Sequence, residues 1–123
     1  MSGPASVVIV DDDRAMRNSM TWCIEAEGFA VSAFPTAEEF LAAGDPKDWG
    51  CLVLDVHLPG MNGIALQHEL ARRGIRLPII FISGRAEKVI VDRALAAGAV
   101  DFLEKPFHPD HLVARIRQAI AAR

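Results

Sequence analysis

The stretch Val7-Val8-Ile9-Val10-Asp11-Asp12-Asp13 is an unbroken apolar run that ends in three carboxylates. Four β-branched residues in a row predict a strand, and the lack of polar alternation predicts one covered on both faces. The pattern recurs down the chain. Cys51-Leu52-Val53-Leu54 ends in Asp55, Ile79-Ile80-Phe81-Ile82 ends in Ser83, and Ala99-Val100-Asp101-Phe102-Leu103 runs into Lys105-Pro106. A further strand is read at 29–33. Segments of helical period fill the spaces at 14–27, 36–43, 63–73, 86–97 and 109–122. Such alternation predicts a doubly wound α/β fold, a five-stranded parallel sheet with five helices on its two faces. Right-handed crossovers permit few strand orders. The order 2-1-3-4-5 is favoured, with its switch point between the first and third strands.

The punctuation agrees with this division. Gly28, Gly74 and Gly98 follow helical segments, where a left-handed cap is needed. Thr36 has capping-box spacing to Glu39, Asp13 stands as N-cap of the first helix, and Pro109 suits the first turn of the last.

The 123 residues suit one domain at 7–123, preceded by an N-terminal extension at 1–6. Apolar residues make up 51% and charged residues 24%, a globular composition, and the net charge of −3 gives no general attraction to nucleic acid or anionic lipid. No apolar stretch reaches the length of a membrane span, and residues 1–6 are too short and polar for a signal peptide. No second Cys or His stands at metal-ligand spacing from Cys23 or Cys51 in the sequence, which fits reduced thiols and a cytoplasmic location.

In an open parallel sheet, ligands bind at the carboxyl ends of the strands. Asp11, Asp12, Asp55, Ser83 and Lys105 would all gather there. Crowded carboxylates repel, and a divalent cation relieves the repulsion. Mg²⁺, or Mn²⁺, takes oxygen ligands from one or two carboxylates plus phosphate. Asp12 and Asp55 are the candidate direct ligands, with Asp11 helping directly or through water. Asp55 can also be a covalent nucleophile that forms an aspartyl-phosphate. Lys105 supplies a positive charge for a phosphate oxygen, the Ser83 hydroxyl can donate to another, and Gly84 leaves room for close approach.

These residues resemble the receiver domain of bacterial two-component response regulators. The resemblance runs from Val7 to about Ala122. It rests on Asp11-Asp12, on Leu54-Asp55-Val56-His57-Leu58-Pro59-Gly60, on Asn62-Gly63, on Ser83-Gly84 and on Glu104-Lys105-Pro106-Phe107. The stretch Gly98 to Phe107 is most similar to receivers of the nitrogen-fixation-regulator type, which usually carry a helix-turn-helix output domain. The resemblance implies a flavodoxin-like receiver fold and a phosphorylation-dependent switch rather than a turnover enzyme. It implies that Asp55 is the phospho-acceptor from a sensor histidine kinase and that the main-chain carbonyl of His57 completes the metal ligands. It also implies that Lys105-Pro106 is cis, and that Ser83 and Phe102 form the switch pair. The chain has no Tyr, so a signal from the Phe102 ring is steric. Two other readings use the same fold. A phosphohydrolase with an Asp nucleophile usually has an acid where His57 stands, and a nucleotide or flavin module lacks its glycine-rich loop after the first strand.

Ala15, Ser19 and Trp22 share a face of the first helix and are the candidate kinase-docking surface; Met16, Met20, Cys23 and Ile24 make the better core stripe, which leaves Trp22 partly exposed. The fourth helix is apolar on more than one face (Val89, Ile90, Val91, Ala94, Leu95, Ala97). It is the candidate contact for a phosphorylated homodimer, joined by the fifth strand or helix.

Overall fold

The structure, a computed structural model, describes residues 6–43, 49–85 and 87–122. Its elements alternate throughout: β1 (Ser6–Val10), α1 (Arg14–Glu25), β2 (Ala30–Phe34), α2 (Ala37–Ala42), β3 (Cys51–Asp55), α3 (Gly63–Arg72), β4 (Ile79–Ser83), α4 (Lys88–Ala96), β5 (Asp101–Glu104) and α5 (Pro109–Ala121). The five strands form one parallel sheet in the order β2-β1-β3-β4-β5.

The continuous apolar runs are explained by what covers them. Val7, Ile9, Cys51, Val53, Ile80 and Ile82 face one side, where Met20 and Ile24 of α1 and Leu112 and Ile116 of α5 close over them. Val8, Val10, Leu52, Leu54, Ile79 and Phe81 face the other, under Phe40 of α2, Leu66 and Leu70 of α3, and Ala94 of α4. Every second residue alone would suffice for a sheet with one wet face. Here both alternating sets are buried. Each fully buried Val, Ile, Leu or Phe contributes roughly 1.5–3 kcal/mol over its exposed state. β2, on the sheet edge, is correspondingly less buried.

The caps expected at Asp13 and Thr36 are present, and Asn62 adds another. The side chain of Asp13 accepts from the Met16 amide, that of Thr36 from the Glu39 amide, and that of Asn62 from the Ala65 amide. Gly28, Gly74 and Gly98 have φ of 94°, 73° and 107°. Several boundaries shift by one or two residues; β1, for one, starts at Ser6, inside the expected extension. β2 lies one residue later than 29–33, because its register pairs Phe34 with Val10. β5 starts at Asp101 rather than Ala99, because the Ala99 amide still closes α4 by donating to the Ala94 carbonyl. α4 begins at Lys88, after Glu87; the expected start at Ala86 lies outside the described residues, as do residues 1–5 of the extension and Arg123. Among the described residues, no helix is long and apolar enough to cross a membrane.

Candidate functional site

Three strands, β1, β3 and β5, bring polar residues to one rim. Asp11 follows β1 and is fully buried; Asp12 beside it is exposed. Asp55 is the last residue of β3 and is 5% exposed. Lys105 comes one residue after β5, at the Lys105-Pro106 peptide, which is cis.

The Lys105 ammonium joins the two buried acids. Its Nζ donates to Asp11 Oδ2 at 2.9 Å and to Asp55 Oδ2 at 2.9 Å. The remaining carboxylate oxygens are also engaged: Asp11 Oδ1 accepts the Asp13 amide at 2.9 Å and Asp55 Oδ1 accepts the His57 amide at 2.9 Å. Arg17 reaches over from α1 and donates to the Asp11 carbonyl at 2.9 Å. One carboxylate oxygen from each of Asp11, Asp12 and Asp55 falls within 4.8 Å of the others. Asp12, Asp13, Asp55, His57, Gly84, Arg85 and Lys105 line an open cleft of about 580 Å³ above them.

Burial pushes the Asp55 carboxyl above its usual range; the Lys105 and His57 hydrogen bonds oppose this and the Asp11 charge adds to it. Burial works to lower Lys105, but hydrogen bonds and charge attraction from Asp11 and Asp55 outweigh it and hold the ammonium above its ordinary value. A carboxylate that resists ionisation beside a fixed cation is a group poised for chemistry.

Ser83 and Phe102 lie nearby but are turned elsewhere. The buried Ser83 hydroxyl donates to the Arg85 carbonyl and accepts from the Arg85 amide, both at 3.0 Å. The half-buried Phe102 ring stacks on Phe81, with centroids 6.2 Å apart. The His57 side chain is exposed. Ala15, Ser19 and Trp22 are all exposed on α1, Trp22 at 76%.

Two further features support the site, one at Gly63 of the Asn62-Gly63 motif and one at Glu38. Gly63 lets α3 start directly against β3: a Cβ there would lie 2.3 Å from the Asp55 carbonyl oxygen. Glu38 of α2 accepts the Met61 amide at 3.0 Å, in the loop that follows Asp55.

Comparison with known proteins places the chain in a family. Residues 7–117 match the response regulator receiver domain, and the chain belongs to that family. Nodulation protein W of Bradyrhizobium diazoefficiens is 46% identical over 91% of this chain and 49% of its own length. The transcriptional regulatory protein FixJ of Azorhizobium caulinodans is 40% identical over 93% of this chain and 54% of its own. The chain thus spans about half the length of the curated relatives it matches. The crystal structure of FixJ-N superimposes with a TM-score of 0.87 at 35% identity, covering 99% of this chain and 98% of that one.

Proposed function

We propose that this chain is a phosphorylation-dependent switch in which Asp55 accepts a phosphoryl group from a phosphohistidine of a sensor kinase, in the cytoplasm. The observation that carries this reading is the Lys105 ammonium, 2.9 Å from both Asp11 and Asp55. It draws residues from β1, β3 and the end of β5 into one site.

The donors suit a hard divalent cation. Three carboxylates cluster, the Lys105 ammonium pairs with two of them, and the ligand atoms on offer are all oxygens. Asp12 and Asp55 would hold the ion, with Asp11 directly or through water and the His57 main-chain carbonyl as a further ligand. Mg²⁺ or Mn²⁺ supplies charge neutralisation at the phosphoryl oxygens.

The chain's own residues do the rest. A carboxylate oxygen of Asp55 attacks phosphorus; the new O–P bond forms as the P–N bond breaks, and the leaving imidazole keeps the electron pair. Lys105 shifts a hydrogen bond from the carboxylates to a phosphoryl oxygen. The Ser83 hydroxyl exchanges its bonds to Arg85 for one to the phosphoryl group, and Phe102 follows sterically. Later attack of water on phosphorus breaks the Asp55 O–P bond and releases inorganic phosphate with the free carboxylate, so the reaction is self-modification and slow reversal rather than turnover of a substrate.

The exposed face of Ala15, Ser19 and Trp22 suits docking of the kinase. Val89, Leu95 and Val100, between 43% and 63% exposed, suit a dimer contact at α4 and the approach to β5. The length of FixJ relative to this chain fits an output domain that controls transcription.

Acetyl phosphate with Mg²⁺ tests the reading. One hydroxylamine-sensitive phosphoryl group per chain, lost in Asp55→Asn and in chelator, is the expected result. Continuous phosphate release with no label retained contradicts it.

A further inference from the structure

We propose that Glu38 is a positioning residue: from α2, it holds the loop after Asp55 in the shape that binds the divalent cation. The inference rests on the phospho-acceptor reading above and adds a residue to its machinery.

Glu38 lies on the surface in the first turn of α2, where an acid has an ordinary reason to be. Its Oε2, however, accepts the main-chain N–H of Met61 at 3.0 Å, across 23 residues of sequence. Gly60 is fitted to the same carboxylate. It has a φ of +68°, and a Cβ built on it would lie 2.7 Å from Glu38 Oε2. The loop therefore presents its bare backbone to Glu38, and a side chain there would push the carboxylate away.

The rest of the loop is pinned from the core side. The Val56 amide donates to the Ile82 carbonyl at 3.1 Å, and the Val56 carbonyl accepts the Gly63 amide at 2.9 Å. Leu58 is buried. These contacts fix where the loop leaves β3 and where it enters α3. Its outer turn, Pro59 to Met61, is tied down by Glu38. His57 stands between the pinned base and that turn, and its amide orients Asp55 at 2.9 Å. Releasing the turn lets the His57 main chain drift, and with it both the Asp55 carboxylate and the carbonyl assigned to the cation.

The test is Mn²⁺ binding to the whole chain, read from the electron paramagnetic resonance signal of the free ion with no phosphoryl donor present. Glu38→Ala weakens binding about tenfold, the scale of a lost outer-shell partner. Glu38→Gln, which keeps an acceptor oxygen, stays close to wild type. Gly60→Ala, which displaces the carboxylate, weakens binding as Glu38→Ala does, and the double variant is no weaker than either; this arm also serves should Glu38→Ala fail to fold. Labelling of Glu38→Ala by acetyl phosphate recovers at saturating Mn²⁺. Unchanged Mn²⁺ affinity in Glu38→Ala overturns the inference, even if its urea midpoint falls, since the contact is then a stability tether. Equal weakening in Glu38→Gln also overturns it, because charge rather than the hydrogen bond would be acting. A wild type that binds Mn²⁺ in a Glu38-dependent way but takes no label overturns the phospho-acceptor reading and leaves the role of Glu38 standing.

Discussion

At the scale of single residues, three changes separate charge, burial and hydrogen bonding. Lys105→Met removes the cation that bridges Asp11 and Asp55. The rate of Asp55 labelling by acetyl phosphate should fall about a hundredfold, as when one electrostatic donor is removed from an active site. Gln67→Leu acts in the opposite sense on stability. The Gln67 side chain is buried between α3 and α4, where Nε2 donates to the Ala94 carbonyl at 3.0 Å while Oε1 has no partner among the described residues. The Ala94 carbonyl keeps its bond from the Ala99 amide. Replacing the amide with an apolar group of similar size should therefore raise stability by about 1 kcal/mol in urea unfolding. Asp55 gives a pH signature in chelator. Its folded pKa lies above the reference 3.8, so the unfolded chain releases its proton first as pH rises. Stability falls from that point until the folded carboxyl has ionised, and Asp55→Asn should remove this segment of the pH–stability curve. The acids and Lys105 were legible because each follows a strand. The Ser83 hydroxyl, turned onto Arg85, was not, since a side chain's rotamer leaves no mark in sequence.

At the scale of elements, the strongest constraint is the meeting of β3 and α3. Gly63 opens α3 against the Asp55 carbonyl, 2.3 Å from where a Cβ would stand. Gly63→Ala must push the helix off the strand end and should cost about 2 kcal/mol, in the range of overpacked sites, while slowing Asp55 labelling. Gly74→Ala is the contrast: nothing lies within 4 Å of a Cβ there, and the strain comes from its φ of +73° alone. It should destabilise without changing the labelling rate. At the far end of α3, Glu69 is held at about 2, first by its Arg72 hydrogen bond and then by Arg73. A depressed carboxyl contributes above its unfolded value and loses that contribution as pH falls from 4.5 towards 2. Glu69→Gln should flatten the acid limb of the urea-midpoint curve by a small amount, since the pair is surface-exposed and screened. The helices and the central strands were readable because both faces of β1, β3 and β4 are covered, which writes them as unbroken apolar runs. The start of β5 was not, because Ala99 looks like strand yet its amide closes α4. The Glu38–Met61 contact had no local signature either. It joins a surface helix to a loop 23 residues away, and a charge at a helix start has a sufficient local explanation.

At the scale of the whole molecule, the acidic rim and the proposed docking face of α1 can be told apart by choice of phosphoryl donor. The acids open at the carboxyl ends of the strands, whereas Trp22 stands 76% exposed on α1. Trp22→Ala should leave acetyl-phosphate labelling intact and slow phosphotransfer from the cognate kinase. Equal slowing with both donors would place Trp22 in the chemistry rather than in docking. The central claim is that a side-chain oxygen of Asp55, and not of Asp11 or Asp12, takes the phosphoryl group. Borohydride reduction of the phosphorylated chain, followed by peptide mapping, tests it most directly, because an acyl phosphate is reduced to an alcohol at the residue that carried it. The account predicts homoserine at position 55 alone. Homoserine at position 11 or 12, or a phosphorylated serine or histidine with position 55 unchanged, would contradict it.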